Sequence, residues 1–407
     1  MTNLKSGSDD MYSSSPLRLK TLLDVWVLYS DDEFKLHMAR ELVQCLGVNF
    51  EFIPEEKVNP DLFKTNNLPD LLFVQTGHGW AQKIAKLQHA DIEQDEQHEM
   101  SLVVFGDESD NESLRMALRL GASDYLSDTA SAKDLMHLLT EIAENKISTS
   151  KLAELFVFIN TKGGAGATTI GLNLAVDVAM HIPENVLFLD LDSHFGVAAD
   201  YLNLNPVYSV VDAIDSQEDL DEMSLQGLVT KHESGLHMLN FNPETRLENY
   251  EKSKQIAGLI PILRRYYKYI FVDFSQGIDG LFTSVLTQAS NVFLVTQQNL
   301  VALKNASSVI RSLKFEYGIA AESMSIVVNR YEKKQQIKLK DIQSSLAGVN
   351  VMTIPNDFKV AIESTNLGKP FVMAKPNAVI SKSIHEFSAG LCPDVQSEQG
   401  WLDRLFS

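Results

Sequence analysis

Cysteine is nearly absent: Cys45 and Cys392 are the only two among 407 residues. Two thiols build neither a disulfide framework nor a C-x-x-C zinc or redox site, which fits a reducing cytoplasm. Basic side chains are scarce too, with 35 Lys and Arg against 54 Asp and Glu, for a formal charge of −19. A surface that acidic repels phosphodiester backbones, so no nucleic-acid partner is expected. No apolar run approaches the roughly 20 residues that span a bilayer, and the first residues lack a charged-then-apolar signal pattern. Apolar content is ordinary, so a chain of this length can bury the cores of two or three domains.

The pattern that organises the chain lies near its middle. Leu155 to Ile159 is an apolar run that reads as a buried parallel strand, and Ile170 to Met180 shows apolar residues at helical spacing. Between them stands K-G-G-A-G-A-T-T, Lys162 to Thr169. Strand, glycine-rich turn and helix form the geometry in which backbone N–H groups and a helix N-terminus converge on a phosphate. Gly163, Gly164, Ala165, Gly166, Ala167, Thr168 and Thr169 are the candidate nucleotide-binding residues, with the Thr168 hydroxyl placed for Mg²⁺. A P-loop ends G-K-[ST], and here the lysine position is Ala167. The early lysine, Lys162, is the mark of the deviant Walker A proteins, and the stretch resembles the MinD/ParA pattern K-G-G-x-G-K-[ST]-T at every position but one. The competing reading is a glycine-rich turn with no ligand.

Further along, Asp190 and Asp192 follow an apolar run from Val186, and Asp273 ends the apolar run from Tyr269. Two carboxylates at i and i+2 on a strand end point the same way, and an aspartate closing a strand can reach Mg²⁺ through water. The order P-loop, D-x-D, strand-Asp is similar to that of the MinD-like proteins. The resemblance implies Mg²⁺ contacts for Asp190 and Asp273, water orientation by Asp192, and a γ-phosphate approach at Gly277. It also implies adenine recognition at Asn329 and Arg330, with backbone near Pro355 lining the base. It covers residues 154 to about 388 and implies ATP (or ADP) with Mg²⁺ as cofactors. The acidic surface argues against ParA-type DNA partitioning.

The front of the chain alternates strand and helix patterns. Strands are expected at Val25–Tyr29, Asn49–Ile53, Asp70–Gln75, Leu102–Phe105 and Asp124–Leu126. Helical spacing covers Phe34–Leu46, Leu114–Leu120 and Ala132–Glu144. This is a five-stranded doubly wound pattern, and it resembles a response-regulator receiver domain through Gly121 to Leu126. The acidic pair survives as Asp31 and Asp32. Gln75 stands at the phosphoacceptor position, Gly106 at the hydroxyl position and Asp128 at the lysine position. An amide cannot take a phosphoryl group as a carboxylate does, so the domain reads as a pseudo-receiver whose role is protein contact.

The expected fold class is therefore α/β, a receiver-like (flavodoxin-like) domain followed by a MinD/ParA-type P-loop domain with a mostly parallel doubly wound sheet. The expected divisions are a disordered polar tail (1–20), the atypical receiver-like domain (21–147), a linker (148–153), the ATPase domain (154–390) and a C-terminal tail (391–407). The combination resembles the TadZ/CpaE family of tight-adherence (Flp, type IVb) pilus assembly proteins, some of which lack the P-loop lysine. That resemblance implies a localisation factor at the pole or inner face of the inner membrane that recruits pilus secretion machinery. In MinD-like proteins the counterpart of Lys162 reaches the partner's site, which implies a nucleotide-stabilised homodimer with catalytic roles for Lys162 and Asp192. Without an ammonium at Ala167, hydrolysis is expected to be weak or absent. The alternatives are a hydrolysing positioning ATPase for another surface cargo, such as a flagellum or cellulose synthase, and a signalling module built on the receiver-like domain. Trp401, Leu402, Leu405 and Phe406 share one helical face and resemble the membrane-targeting tail of MinD. The basic flank is missing, so weak membrane contact stands beside docking to a partner or to the protein's own surface.

Overall fold

Short continuous apolar runs, buried on both faces, build two sheets. A computed structural model describes residues 17–59, 68–88, 100–149, 151–193, 196–274, 277, 283–346 and 348–395. Cα proximity separates these into two units, one running to residue 150 and one holding most of the chain from 151 onward.

The first unit runs β1 (Leu17–Tyr29), α1 (Asp32–Leu42), β2 (Cys45–Pro54), β3 (Leu71–Gln75), α2 (Trp80–Gln88), β4 (Ser101–Gly106), α3 (Asn111–Arg119), β5 (Asp124–Ser127) and α4 (Ala132–Thr149). Its strands are all parallel in the order β2-β1-β3-β4-β5, the flavodoxin-like arrangement. Phe73 faces the layer of α1 and α4 with Phe34, Met38 and Leu139. Its neighbours Leu72 and Val74 face the opposite layer with Trp80 and Ile84 of α2.

Several sequence expectations need correction. Leu17–Lys20, assigned to a disordered tail, belong to β1; residues 1–16 lie outside the described residues. Helix α2 was not anticipated; it buries Trp80, Ile84 and Leu87. The helix expected to end at Glu144 continues into the first two residues of the expected linker, to Thr149. Lys146 holds that extension, donating to the Leu22 carbonyl at 2.9 Å and to Asp70 Oδ2 at 2.7 Å. The C-terminal amphipathic stretch lies outside the described residues.

The second unit runs β6 (Glu154–Asn160), α5 (Ala167–His181), β7 (Val186–Asp190), α6 (Ala198–Tyr201), α7 (Val210–Asp215), α8 (Glu222–Leu228), β8 (Thr230–Lys231), β9 (His237–Asn240), α9 (Arg246–Ser253) and α10 (Ile256–Tyr266). It continues with β10 (Tyr269–Phe274), α11 (Thr283–Thr287), β11 (Asn291–Gln297), α12 (Leu300–Phe315), β12 (Met324–Tyr331), α13 (Leu339–Ser345), β13 (Asn350–Pro355), α14 (Phe358–Leu367), α15 (Phe371–Ala374) and α16 (Val379–Leu391). The sheet order is β13-β12-β11-β6-β10-β7-β9-β8, parallel except for the antiparallel β8–β9 edge. This is the α/β class expected. Strand β6 is central, so the turn after it opens where the chain's crossovers diverge, the usual crevice for a ligand in such sheets.

Both faces of β6 are buried. Leu155, Val157 and Ile159 join one core, Phe156 and Phe158 the other. Phe158 stacks on Phe293 with centroids 4.9 Å apart. Helix α5 is buried nearly all round, as a helix inside a layered core must be. At Gly171 an added Cβ would come within 3.1 Å of the Phe158 ring, so glycine lets α5 lie close on β6 and sets the height of the turn between them.

Core His237 sets a pH dependence. Its ring is 2% exposed, and Nδ1 lies 3.0 Å from the Tyr267 hydroxyl. Burial pushes the imidazole down to about 4. The unfolded chain, with an ordinary value near 6.5, takes up the proton first. Stability from this residue is therefore complete above about pH 7 and falls as pH drops from about 6.5 toward 4. Urea unfolding midpoints across that window should decline in the native protein and decline less in His237→Gln.

Candidate functional site

The turn from Thr161 to Gly166 is held by its carbonyls. Asn329, from β12, donates Nδ2–H to the Ala165 carbonyl at 2.8 Å, and Gln297, from β11, donates to the Gly164 carbonyl at 3.3 Å. Thr161 donates both its N–H and its hydroxyl to the Val295 carbonyl, at 2.9 and 3.1 Å. Gly164 (φ +72°) and Gly166 (φ +110°) occupy the left-handed region that the turn requires. Nothing stands within 4 Å of a Cβ placed on Gly163 or Gly164, so that side of the turn is open. At Gly166 an added Cβ would overlap the Asn329 amide.

The N–H groups have a different partner. Asn160, the last residue of β6, accepts from Gly166 N at 3.0 Å and from Ala167 N at 2.9 Å through its single amide oxygen. Ala167 is fully buried within the core under α5. Lys162 is exposed at the outer edge of the turn.

Thr168, one residue into α5, donates its hydroxyl to Asp273 Oδ2 at 2.6 Å. Asp273 and Asp190 are register partners on adjacent strands β10 and β7. Both are about 1% exposed. Asp190 accepts from Asp192 N at 3.0 Å and Ala198 N at 3.2 Å, and burial pushes its carboxyl up to about 6 despite these bonds. The expected strand-end geometry of the D-x-D pair needs correction. Strand β7 ends at Asp190, and the chain folds back so that the Asp192 N–H caps the Asp190 carboxylate. Gly277 bonds its N–H to the Phe274 carbonyl at 3.0 Å with φ +106°.

These groups fit a Mg-nucleotide in part. Thr168 and Asp273 are a hydroxyl and a carboxylate of the kind that holds Mg²⁺ beside phosphates. The described residues contain no group of three or more His, Cys, Asp or Glu placed to hold a metal alone, and Mg²⁺ sites of this type complete their shell with phosphate and water. The open glycines leave room for an anion. The two N–H groups at the head of α5, in contrast, are already bonded to Asn160.

Beside the turn lies a cavity of 130 Å³. It gathers the predicted Gly166, Thr169, Asn329, Arg330 and Pro355, and adds Tyr201 and Phe358, which were not anticipated. The Arg330 guanidinium sits 4.9 Å from the centroid of the Phe358 ring, a cation–π contact on the cavity wall. Arg330 has φ +53°, and the Asn329 amide oxygen accepts its N–H at 2.8 Å. Asn329 thus spends one donor and one acceptor on the backbone, a tie its strand-end position did not disclose. A flat group entering this cavity would meet a guanidinium and an aromatic face, both suited to stacking on a base.

At the strand ends of the first unit, the described side chains are bonded to one another. Gln75 accepts from Ser30 N at 2.8 Å and donates to Asp31. Asp31 also caps α1, accepting from Phe34 N at 2.8 Å, and that N–H holds its carboxyl below the ordinary range. At Gly106 an added Cβ would overlap Thr76 and the Tyr125 hydroxyl, so no hydroxyl-bearing side chain fits there without movement.

Residues 153–324 match the profile of the AAA domain family (AAA_31). MinD from Thermotoga maritima is 26% identical over 246 residues, 58% of this chain and 87% of that protein. MinD from a Synechocystis species is 28% identical over 234 residues, 55% of this chain and 84% of that one. A ParA family ATPase from Chlorobium tepidum superposes with a TM-score of 0.53 and 25% identity, covering 58% of this chain and 98% of the other. MinD from Pyrococcus horikoshii, solved with Mg-ADP, shares the fold with a TM-score of 0.51 at 20% identity, covering 59% and 96%. The second unit is a P-loop domain. More narrowly, its fold is MinD/ParA-like, and its sequence is similar to MinD proteins and to a ParA family ATPase.

The clamp on the turn gives a direct test. Gly166→Ala combines a left-handed φ with overlap on Asn329 and should cost on the order of 2 kcal/mol. Part of that is the overlap, so Gly166→Ala in an Asn329→Ala background should cost less than in the native chain. A double-mutant cycle by chemical denaturation reads the difference.

Proposed function

We propose that the protein is a nucleotide-binding localisation and assembly factor, working as a nucleotide-stabilised homodimer with weak or absent hydrolysis. The observation that carries this is Ala167, a buried methyl where a lysine would bring positive charge to the phosphates. Phosphoryl transfer depends mainly on positioning and charge neutralisation, so losing that ammonium removes catalysis before it removes binding. Thr168 and Asp273 would hold Mg²⁺, which supplies charge neutralisation at the phosphates. Residues 163–169 would surround the phosphates, Gly277 would approach the distal one, and the Asn329–Arg330–Pro355 cavity would take an adenine. Asp190 would support the metal side and Asp192 would orient water. Exposed Lys162 would reach across a dimer into the partner's site.

The finer role we propose is scaffolding of tight-adherence pilus machinery at the cytoplasmic face of the membrane or at a pole. Its support is the K-G-G-A-G-A-T-T loop following a receiver-like unit whose Gln75 cannot act as a phosphoacceptor. That unit would serve protein contact, and no nucleic-acid partner is proposed for so acidic a chain. Among the described residues no helix is long and apolar enough to cross a membrane. The second reading, a hydrolysing positioning ATPase for another surface cargo, is favoured by the similarity to MinD proteins, which carry the names of septum positioning factors.

Phosphate release with Mg-ATP separates the two. The native chain should turn over at least tenfold more slowly than Ala167→Lys, and light scattering should show an ATP-dependent dimer that Lys162→Ala abolishes. Native turnover equal to that of Ala167→Lys would establish the positioning ATPase instead.

A further inference from the structure

The N–H groups of Gly166 and Ala167 stand at the head of α5, where the turn presents its donors and the helix its positive end. Both converge on one atom, the Asn160 amide oxygen, at 3.0 and 2.9 Å. One oxygen accepting two N–H groups at a helix N-terminus is the arrangement a phosphate oxygen would make there. Asn160 closes the strand that feeds the turn, so its side chain reaches the donors from within the fold. The turn's carbonyls at Ala165 and Gly164 are held separately by Asn329 and Gln297. The donors can therefore exchange one acceptor for another while the turn stays anchored.

We infer that Asn160 is an internal stand-in for a phosphate oxygen, a latch that a nucleotide must displace. The inference rests on the nucleotide-binding reading above. Ala167 gives the latch its weight. An ammonium at that position would favour a charged phosphate over a neutral amide. With a methyl there, the entering anion competes for the two N–H groups without that charge, and each such bond adds only modestly once exchange with water is counted. The Gly166 and Ala167 N–H groups thus have an internal acceptor, and Asn160 sets the concentration at which phosphates enter.

The test compares the native chain with Asn160→Ala, which removes the acceptor, and Asn160→Leu, which keeps the bulk without an acceptor. Titration calorimetry with Mg-ADP, and separately with inorganic pyrophosphate, reads affinity. Hydrogen exchange of the nucleotide-free proteins reads protection of the peptide spanning 161–170, and thermal midpoints verify folding. The latch predicts about tenfold tighter binding of both probes by either variant, with faster exchange across 161–170 before ligand is added. Unchanged or weaker binding by a folded variant overturns the latch while the nucleotide reading stands. Binding of neither probe by the native chain or the variants overturns the nucleotide reading itself.

Discussion

The structure turns on how the backbone between β6 and α5 satisfies its polar groups. A tight turn at the centre of a parallel sheet exposes carbonyls on one side and N–H groups on the other, and a buried polar group left unpaired costs more than a bond made to it returns. The carbonyls are taken by Asn329 and Gln297 from the ends of β12 and β11. Two N–H groups are taken by Asn160 from β6 itself. The site is therefore coupled to strand order: β11 beside β6, and β12 beside β11, bring those side chains within reach. The same coupling carries the cavity beside the turn, because Asn329, which ties down the turn, also bonds the N–H of Arg330 on the cavity wall.

Position 167 carries no positive charge, and the fold does not depend on one there. Ala167 fills the lysine position with a methyl that packs into the core beneath α5. The polar groups that remain are a hydroxyl on a carboxylate at Thr168 and Asp273, and an amide on two N–H groups at Asn160. Asp190, buried on the neighbouring strand, is held near an ordinary-pH titration by desolvation and restrained by backbone N–H groups. A buried carboxylate pair on adjacent strands is tolerated because each member has a donor, Thr168 for Asp273 and the 192–198 turn for Asp190.

The first unit follows the same logic at its strand ends. Gln75 joins Ser30 and Asp31 in a closed network, and Asp31 spends its carboxylate as a helix cap. An aspartate at residue 75 would bring like charge against Asp31 and lose the donor that now neutralises the contact. Tyr125 occupies the space that Gly106 leaves, and its hydroxyl bonds the Asp107 carbonyl at 3.1 Å. Amide, glycine and tyrosine together make a packed end where a reactive one would need charge and room.

Much of this was legible in the residue order. Apolar runs placed most of the described strands, among them β6, β7 and β10, and the glycine turn with its flanking apolar segments located the candidate site, because strand and helix patterns are local properties. Gln75, Gly106 and Ala167 declared by side-chain chemistry alone what their positions cannot do. The Asp190–Asp273 register, which joins residues 83 apart, and the sheet order were decided only by tertiary structure, and so was the local fold-back of Asp192 onto Asp190 where β7 stops. So were Tyr201 and Phe358 at the cavity, and above all Asn160. An asparagine ending a strand carries no mark of its task. It acquires one when β6, held between β10 and β11, turns its amide oxygen toward two N–H groups that the chain supplies six and seven residues later.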